Sequence, residues 1–208
     1  MKVLVIGATG QTGAIATRIL LERGDAVTAF VRNPANFATT HERLSIAVGD
    51  ARDGDALERA IRGNDAVLSA LGPRGLGKSD LQEVFMRALV DAMGRAGVKR
   101  LSNLSAWGAG DSWATFPLYG KLAVSTLLRN IFADKNRGEV ALYASALDYV
   151  NVRPGPLGNG PPRGGAKASA DGRDVSGLPP MRRADLAAFM VGALTDDTWL
   201  RQAPILGY

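Results

Sequence analysis

At 208 residues, 46% hydrophobic and 22% charged, the chain has ordinary globular usage and enough length to bury one central sheet under helices on both faces. It has no cysteine, which excludes disulfides, thiolate nucleophiles and cysteine-ligated metal, and no metal centre is expected; no apolar run approaches the roughly 20 residues of a membrane span. The net charge of +5 comes without a long basic block or interleaved aromatics, so the expected partner is an anionic small molecule and neither nucleic acid nor a membrane.

The opening apolar run is too short for a secretory signal, and a cytoplasmic location is expected. That run, KVLVIGATGQTG at 2–13, is a strand (2–7) leading through Gly7, Gly10 and Gly13 into a helical pattern at 11–23. Gly-x-x-Gly-x-x-Gly between a strand and a helix is a relative of the dinucleotide fingerprint. Gly7 permits the sharp turn, Gly10 lets backbone approach a pyrophosphate, and Gly13 lets helix pack closely on strand. The helix N-terminus aims its N–H groups at the phosphates, and Thr9, Gln11 and Thr12 add side-chain donors. Three glycines alone are a weak signal; the strand-turn-helix context strengthens it.

A second strand, 26–32, ends in Arg32, where NAD-binding domains usually place an acid for the ribose 2′-hydroxyl. A guanidinium pairs bidentately with a 2′-phosphate, so NADP is expected over NAD. The third strand, 44–50, closes on Asp50, which can accept from an adenine amino group beside the Ala51 backbone, or can cap the helix predicted at 54–63. Strand 66–72 runs into SALGPRG, placing Leu71 and Gly72 along the adenosine and pyrophosphate and Arg74 within reach of a phosphate. The helical spacing at 79–97 stops at Gly97, as the first helix stops at Gly24.

Strands at 100–106 and 148–153 complete an alternation that predicts a single-domain, Rossmann-like α/β fold over 1–208: a doubly wound parallel sheet with helices on both faces. Residues 1–75 form its nucleotide half. Two stretches that break the alternation, 107–130 and 154–183, follow strands and are expected as substrate loops over the ligand edge. The first carries Trp107, Trp113, Phe116 and Tyr119, candidates for stacking on a flat ligand or for anchoring the loop on the core. The second carries Arg163, Lys167, Arg173, Arg182 and Arg183, which would favour an anionic ligand if the loop covers the pocket.

IGATGQTG, FVRNP, VGDARD, LSALGPRG, NLSA, ALDYVNVRPGPLG and MRRADLAAFM, in this order, resemble the atypical short-chain dehydrogenase/reductases of the NAD(P)H-binding, NmrA-like group. The likeness is greatest to the branch of biliverdin reductase B and the NADPH-dependent flavin reductases, and it extends over essentially the whole chain. It implies that Ser105 lies beside the nicotinamide as an orienting and polarising group, and that Pro154, Gly155 and Leu157 pass its carboxamide. Lys135 and Glu139 match the family's Lys and Glu positions.

The family's Tyr-x-x-x-Lys pair is absent: Ile131 precedes Lys135 by four residues, Tyr119 is followed by Ala123 and Tyr143 by Leu147. Pro156 stands where the biliverdin reductases carry a histidine. Without the tyrosine acid, an acceptor that delocalises its own charge is expected, a flavin, quinone or biliverdin-like tetrapyrrole, reduced by NADPH. The alternative is an NADP(H)-binding redox sensor without turnover. The branch implies a monomer or weak homodimer.

Overall fold

The computed structural model describes residues 1–73 and 75–208; the expectation for Arg74 lies outside the described residues. Apolar runs rich in Val, Ile and Leu form the central strands: β1 Lys2–Ile6, β2 Ala26–Val31, β3 Leu44–Val48, β4 Ala66–Ser69, β5 Arg100–Leu104 and β6 Asp148–Pro154. Between them run α1 Gln11–Glu22, α2 Gly54–Ile61, α3 Leu81–Ala96, α4 Leu118–Thr126 and α5 Arg129–Tyr143. The remainder forms β7 Leu157–Gly158, β8 Lys167–Ser169, β9 Met181–Arg182, α6 Arg183–Gly192 and β10 Ile205–Gly207.

The main sheet has eight strands in the order β3-β2-β1-β4-β5-β6-β10-β8, parallel except for the edge strand β8, and β7 pairs separately with β9. The order reverses direction on either side of β1, so β1 and β4 flank the switch point at which a doubly wound sheet binds its ligand. Side chains alternate across β1: Val3 and Val5 pack on one face with Leu20 of α1 and Leu186 and Met190 of α6. Leu4 and Ile6 pack on the other with Leu57 of α2, Phe85 and Leu89 of α3 and Leu142 of α5. Burial on both faces explains why these strands read as near-continuous apolar runs.

The two breaks in the alternation hold more structure than a loop. The 107–130 segment contains a 3-10 turn, Gly110–Trp113, and all of α4. The 154–183 segment contains β7, β8 and β9. Strands of two or three residues are too short to show a period of two. α4 leaves Leu118, Leu122 and the following Leu127 exposed, so it has no clean apolar stripe from which to read a helix.

Candidate active site

The glycine turn has the geometry its sequence predicts. Gly7 has φ +84° and a Cβ there would lie 2.7 Å from the carbonyl oxygen of Ala70, just past the end of the neighbouring strand β4. A Cβ at Gly13 would stand 2.1 Å from the Gly7 carbonyl oxygen, so helix and strand approach here as only glycine allows. Gly10 closes the turn through its N–H to the Gly7 carbonyl at 2.9 Å. Ala14 is the first residue to close a helical bond, onto Gly10 at 2.8 Å, and Gly10 provides no side-chain cap. The N–H groups of Gln11, Thr12 and Gly13 therefore face the sheet's carboxyl edge ahead of the first helical bond, in the arrangement that binds anions. Thr9, Gly10 and Gln11 are exposed, whereas Thr12 is buried.

Beside this turn a cleft is lined by Gly7, Thr9, Arg32, Asp50, Ala51 and Leu71, all singled out from the sequence, together with Asn33 and Asn36 of the turn after β2. The helix-cap role considered for Asp50 belongs to Asp53, whose carboxylate accepts from the Asp55 and Ala56 N–H groups at 3.0 Å each. Among the described residues the Asp50 side chain makes only a local bond, accepting from Arg52 N–H at 2.9 Å, and stays exposed. Arg32 is exposed at the cleft and has no ion pair among the described residues. Leu71 forms part of the wall and its carbonyl accepts from the Gln82 side chain at 3.1 Å; Gly72 is exposed just beyond it.

The sheet's other half ends in a buried polar network. Asn103 and Ser105 follow one another at i, i+2 along β5 and beyond it; Asn151 and Arg153 do the same on β6, with Asn103 opposite Asn151 in register. Lys135, Glu139 and Tyr143 lie at i, i+4 on α5, which packs over that face. The Ser105 hydroxyl donates to Glu139 Oε1 at 2.6 Å. The same carboxylate accepts from Asn151 Nδ2 at 2.8 Å and from Arg153 at 2.7 and 3.2 Å. Asn103 donates to Asn151 at 2.8 Å, which accounts for the polar character of strand five.

Arg153, only 2% exposed, also reaches Asp111 at 2.6 Å and the Tyr143 hydroxyl oxygen at 2.8 Å. Burial opposes its charge, but the bonds and proximity of Glu139 outweigh it and hold the guanidinium firmly protonated. Burial and the Glu139 charge both push the Tyr143 phenol well above its ordinary range. Arg153 and Glu139 form a buried ion pair whose remaining polar atoms are satisfied, the condition under which such a pair is tolerated.

Lys135 is also buried and has no carboxylate within salt-bridge distance among the described residues. Burial lowers its pKa, while Glu139 and Asp134 act in the opposite direction. Asp134 is committed elsewhere: it accepts from the Gln82 and Glu83 N–H groups at 3.0 and 3.2 Å, at the start of α3.

The loop residues divide. Trp107 is 3% exposed, its ring 5.8 Å from that of Phe116 and against Gly172, so it wedges two loops together instead of offering a face to a ligand. That corrects the stacking role considered for it. Trp113 and Pro156 are exposed. Pro154 is buried at the end of β6 with its carbonyl accepting from Trp107 N–H at 2.9 Å, Gly155 is half-buried, and Leu157 packs against the core.

The 154–183 segment is tied down. Asp185 accepts from the Arg163 and Gly164 N–H groups at 2.9 and 3.1 Å and from the Tyr208 hydroxyl at 2.6 Å, and the Arg163 guanidinium stacks on Tyr208 at 4.8 Å. Arg182 and Arg183 both hold Asn159. Arg173 pairs with Asp171 at 3.4 Å, so four of the five basic side chains considered for an anionic ligand are engaged within the protein.

Residues 7–197 match the family model described as NAD(P)H-binding. An uncharacterized chloroplastic protein of Arabidopsis thaliana is 32% identical over 179 residues, 78% of this chain and 61% of its own length. The chain spans between 34% and 61% of the length of that protein, of sterol demethylase protein B from Methylococcus capsulatus and of an Arabidopsis cinnamoyl-CoA reductase. Among solved structures, ChuY, an anaerobilin reductase from Escherichia coli O157:H7, superposes with a TM-score of 0.82 at 25% identity, covering 100% of this chain and 97% of that one. A short-chain dehydrogenase/reductase from Veillonella parvula in complex with NADP shares the fold, with a TM-score of 0.81 at 20% identity over 100% and 94% of the two chains. With the family model spanning both the glycine turn and the Ser105 network, the chain belongs to the NAD(P)H-binding family, as an atypical short-chain dehydrogenase/reductase.

Proposed function

We propose that this protein is an NADPH-dependent reductase of a planar conjugated acceptor: a flavin, a quinone or a linear tetrapyrrole. The observation that carries the reading is the make-up of the site's second half. Ser105 is bonded to the Glu139 carboxyl group that Arg153 holds, Lys135 has no carboxylate within salt-bridge distance among the described residues, and Ile131 stands where a tyrosine acid would lie. Such a site can bind and orient a nicotinamide but lacks the tyrosine four residues before the lysine that protonates an alkoxide, and its Tyr143 phenol is engaged by Asn151 and Arg153, so it suits acceptors that spread the incoming charge over their own ring system.

The residues present fit the dinucleotide. The cradle that Cβ atoms at Gly7 and Gly13 would fill, with the N–H groups of the first turn of α1, suits a pyrophosphate; Arg32, with no ion pair among the described residues, suits a 2′-phosphate, and Asp50 the adenine amino group. Lys135 would donate to ribose hydroxyls, and Ser105 would fix the ligand face at the end of β5. When bound, the reduced nicotinamide supplies the hydride. The NADP complex of the structural neighbour and the anaerobilin reductase activity named for ChuY support the reading. The acceptor is taken to be an anionic small molecule, in keeping with the net charge of +5.

The test is NADPH consumption, followed by loss of the reduced-nicotinamide absorbance, with FMN, biliverdin and menadione in turn. Turnover with at least one, and a weaker NADH signal, is expected. Tight NADPH binding without turnover on any of them would replace the reductase by a redox-sensing protein.

A further inference from the structure

The hydrogen-bond inventory around Ser105 fixes which way its hydroxyl points. A serine hydroxyl has one proton and two lone pairs. Here the proton goes to Glu139 at 2.6 Å, a carboxylate that Arg153 grips through two nitrogens and Asn151 through a third donor. Charge-assisted bonds of this kind are about twice as strong as neutral ones, so turning the hydroxyl away would exchange a strong bond for a weaker one. Arg153 cannot give up Glu139 without leaving a buried carboxylate unpaired.

From this we infer that Glu139 and Arg153 are positioning residues that hold Ser105 as a hydrogen-bond acceptor, selecting acceptor substrates that present an N–H to it over those presenting only carbonyl oxygens. This rests on the proposed reductase reading and takes the acceptor, stacked on the nicotinamide that Ser105 lies beside, to come within reach of its hydroxyl. It narrows that reading: flavins and linear tetrapyrroles carry ring or lactam N–H groups, whereas quinones carry none. Ser105 is the last polar side chain of β5's face toward the carboxyl edge and retains 6% of its surface.

The experiment measures equilibrium binding of acceptors to the NADP⁺-loaded protein by quenching of tryptophan fluorescence. Lumiflavin and biliverdin, which carry N–H groups, are compared with 3-methyllumiflavin and menadione, which do not. Ser105→Ala should weaken the first pair about tenfold, as for one neutral hydrogen bond, and leave the second pair unchanged. Glu139→Gln, whose amide can donate to Ser105 and release its proton, should narrow the difference between the pairs; if that variant does not fold, Ser105→Ala alone decides.

Equal effects on all four ligands would overturn the inference. So would a loss confined to NADP⁺ itself, which would place the lone pair on the cofactor's carboxamide. NADPH consumption by the wild type is read separately: its absence removes the reductase reading, whereas turnover with no N–H preference removes only the acceptor-serine inference.

Discussion

The glycine turn separates two roles that a single substitution can distinguish. In Gly13→Ala the new methyl carbon would stand 2.1 Å from the Gly7 carbonyl oxygen and 2.7 Å from its carbon, both backbone atoms that cannot swing aside. Relief requires α1 to move off β1 by more than 1 Å, roughly the gap to ordinary van der Waals contact, so the cost lies at or above the upper end of overpacking, about 3 kcal/mol. For a domain of this size that lowers Tm by about 6–12 °C. The displaced helix also takes its N-terminal N–H groups away from the phosphates, so NADPH affinity falls with stability. Gly10→Ala makes the contrast: Gly10 has extended backbone, φ −81° and ψ 160°, and its Cβ would meet only the Gly7 oxygen, at 3.2 Å. It should change stability by less than about 1 kcal/mol, yet weaken NADPH at least roughly tenfold by placing a methyl where backbone meets pyrophosphate. Thermal unfolding and NADPH fluorescence titration of both variants check this. A Gly13→Ala protein that melts with the wild type, or a Gly10→Ala protein that binds normally, would refute the reasoning.

Arg32→Ala should raise the Kd for NADPH about 10- to 100-fold, the loss of charge-assisted bonds to a phosphate, with little change for NADH; an equal loss for both would remove the 2′-phosphate role. Arg153→Met leaves Glu139 buried without its guanidinium and should cost about 3–5 kcal/mol in urea unfolding, part of which Glu139→Gln in the same chain recovers. No recovery would show that the pair is not the source of the loss. Burial raises the pKa of Asp185, but the Tyr208 hydroxyl and two backbone N–H groups outweigh it and hold it below its ordinary 3.8. Its contribution is therefore present above pH 3.8 and lost as pH falls through the folded-state value, so the stability advantage of wild type over Asp185→Asn should shrink across that acid window in unfolding curves. Lys135 gives a slope of the same sign in an alkaline window: burial lowers this cationic group's pKa, so wild-type stability rises with pH from the folded value toward 10.5. Lys135→Met should abolish that slope and stabilise the neutral protein by about 1 kcal/mol while weakening NADPH; a less stable variant would show that the amine has a compensating partner.

The cleft beside the glycine turn was legible in the sequence because each of its parts is local. Gly7, Gly10 and Gly13 are close neighbours in the chain, and Arg32, Asp50 and Leu71 each sit at the end of a strand whose apolar run marks its own boundary. The parallel topology then carries those ends to one edge, and the cleft assembles without further information. The second half depends on pairings distant in sequence. Glu139 serves Ser105 across 34 residues, and Asp111 serves Arg153 across 42. Trp107 was ambiguous for the same reason: whether an aromatic after a strand stacks on a ligand or wedges loops together is decided by Phe116 and by Gly172, which lies far along the chain. The edge pairing of β8 with β10 was invisible because neither strand exceeds three residues.

The network was nevertheless written in the sequence in a form that needs two periods read together. On β5 and β6 the side chains facing α5 begin apolar, with Leu101 and Tyr149, and turn polar toward the carboxyl ends with Asn103 and Ser105 on one strand and Asn151 and Arg153 on the other. Those steps of two meet a step of four on the helix above, Lys135, Glu139 and Tyr143. A polar stripe on two adjacent buried strands, opposite a polar stripe on the helix that covers them, can be buried only if the two satisfy each other. Well-packed apolar residues in the same space would be about as stable, or more so, and stability therefore does not explain the arrangement. What the polar residues provide and apolar ones cannot is a fixed direction for the Ser105 hydroxyl at the edge where a parallel sheet meets its ligand.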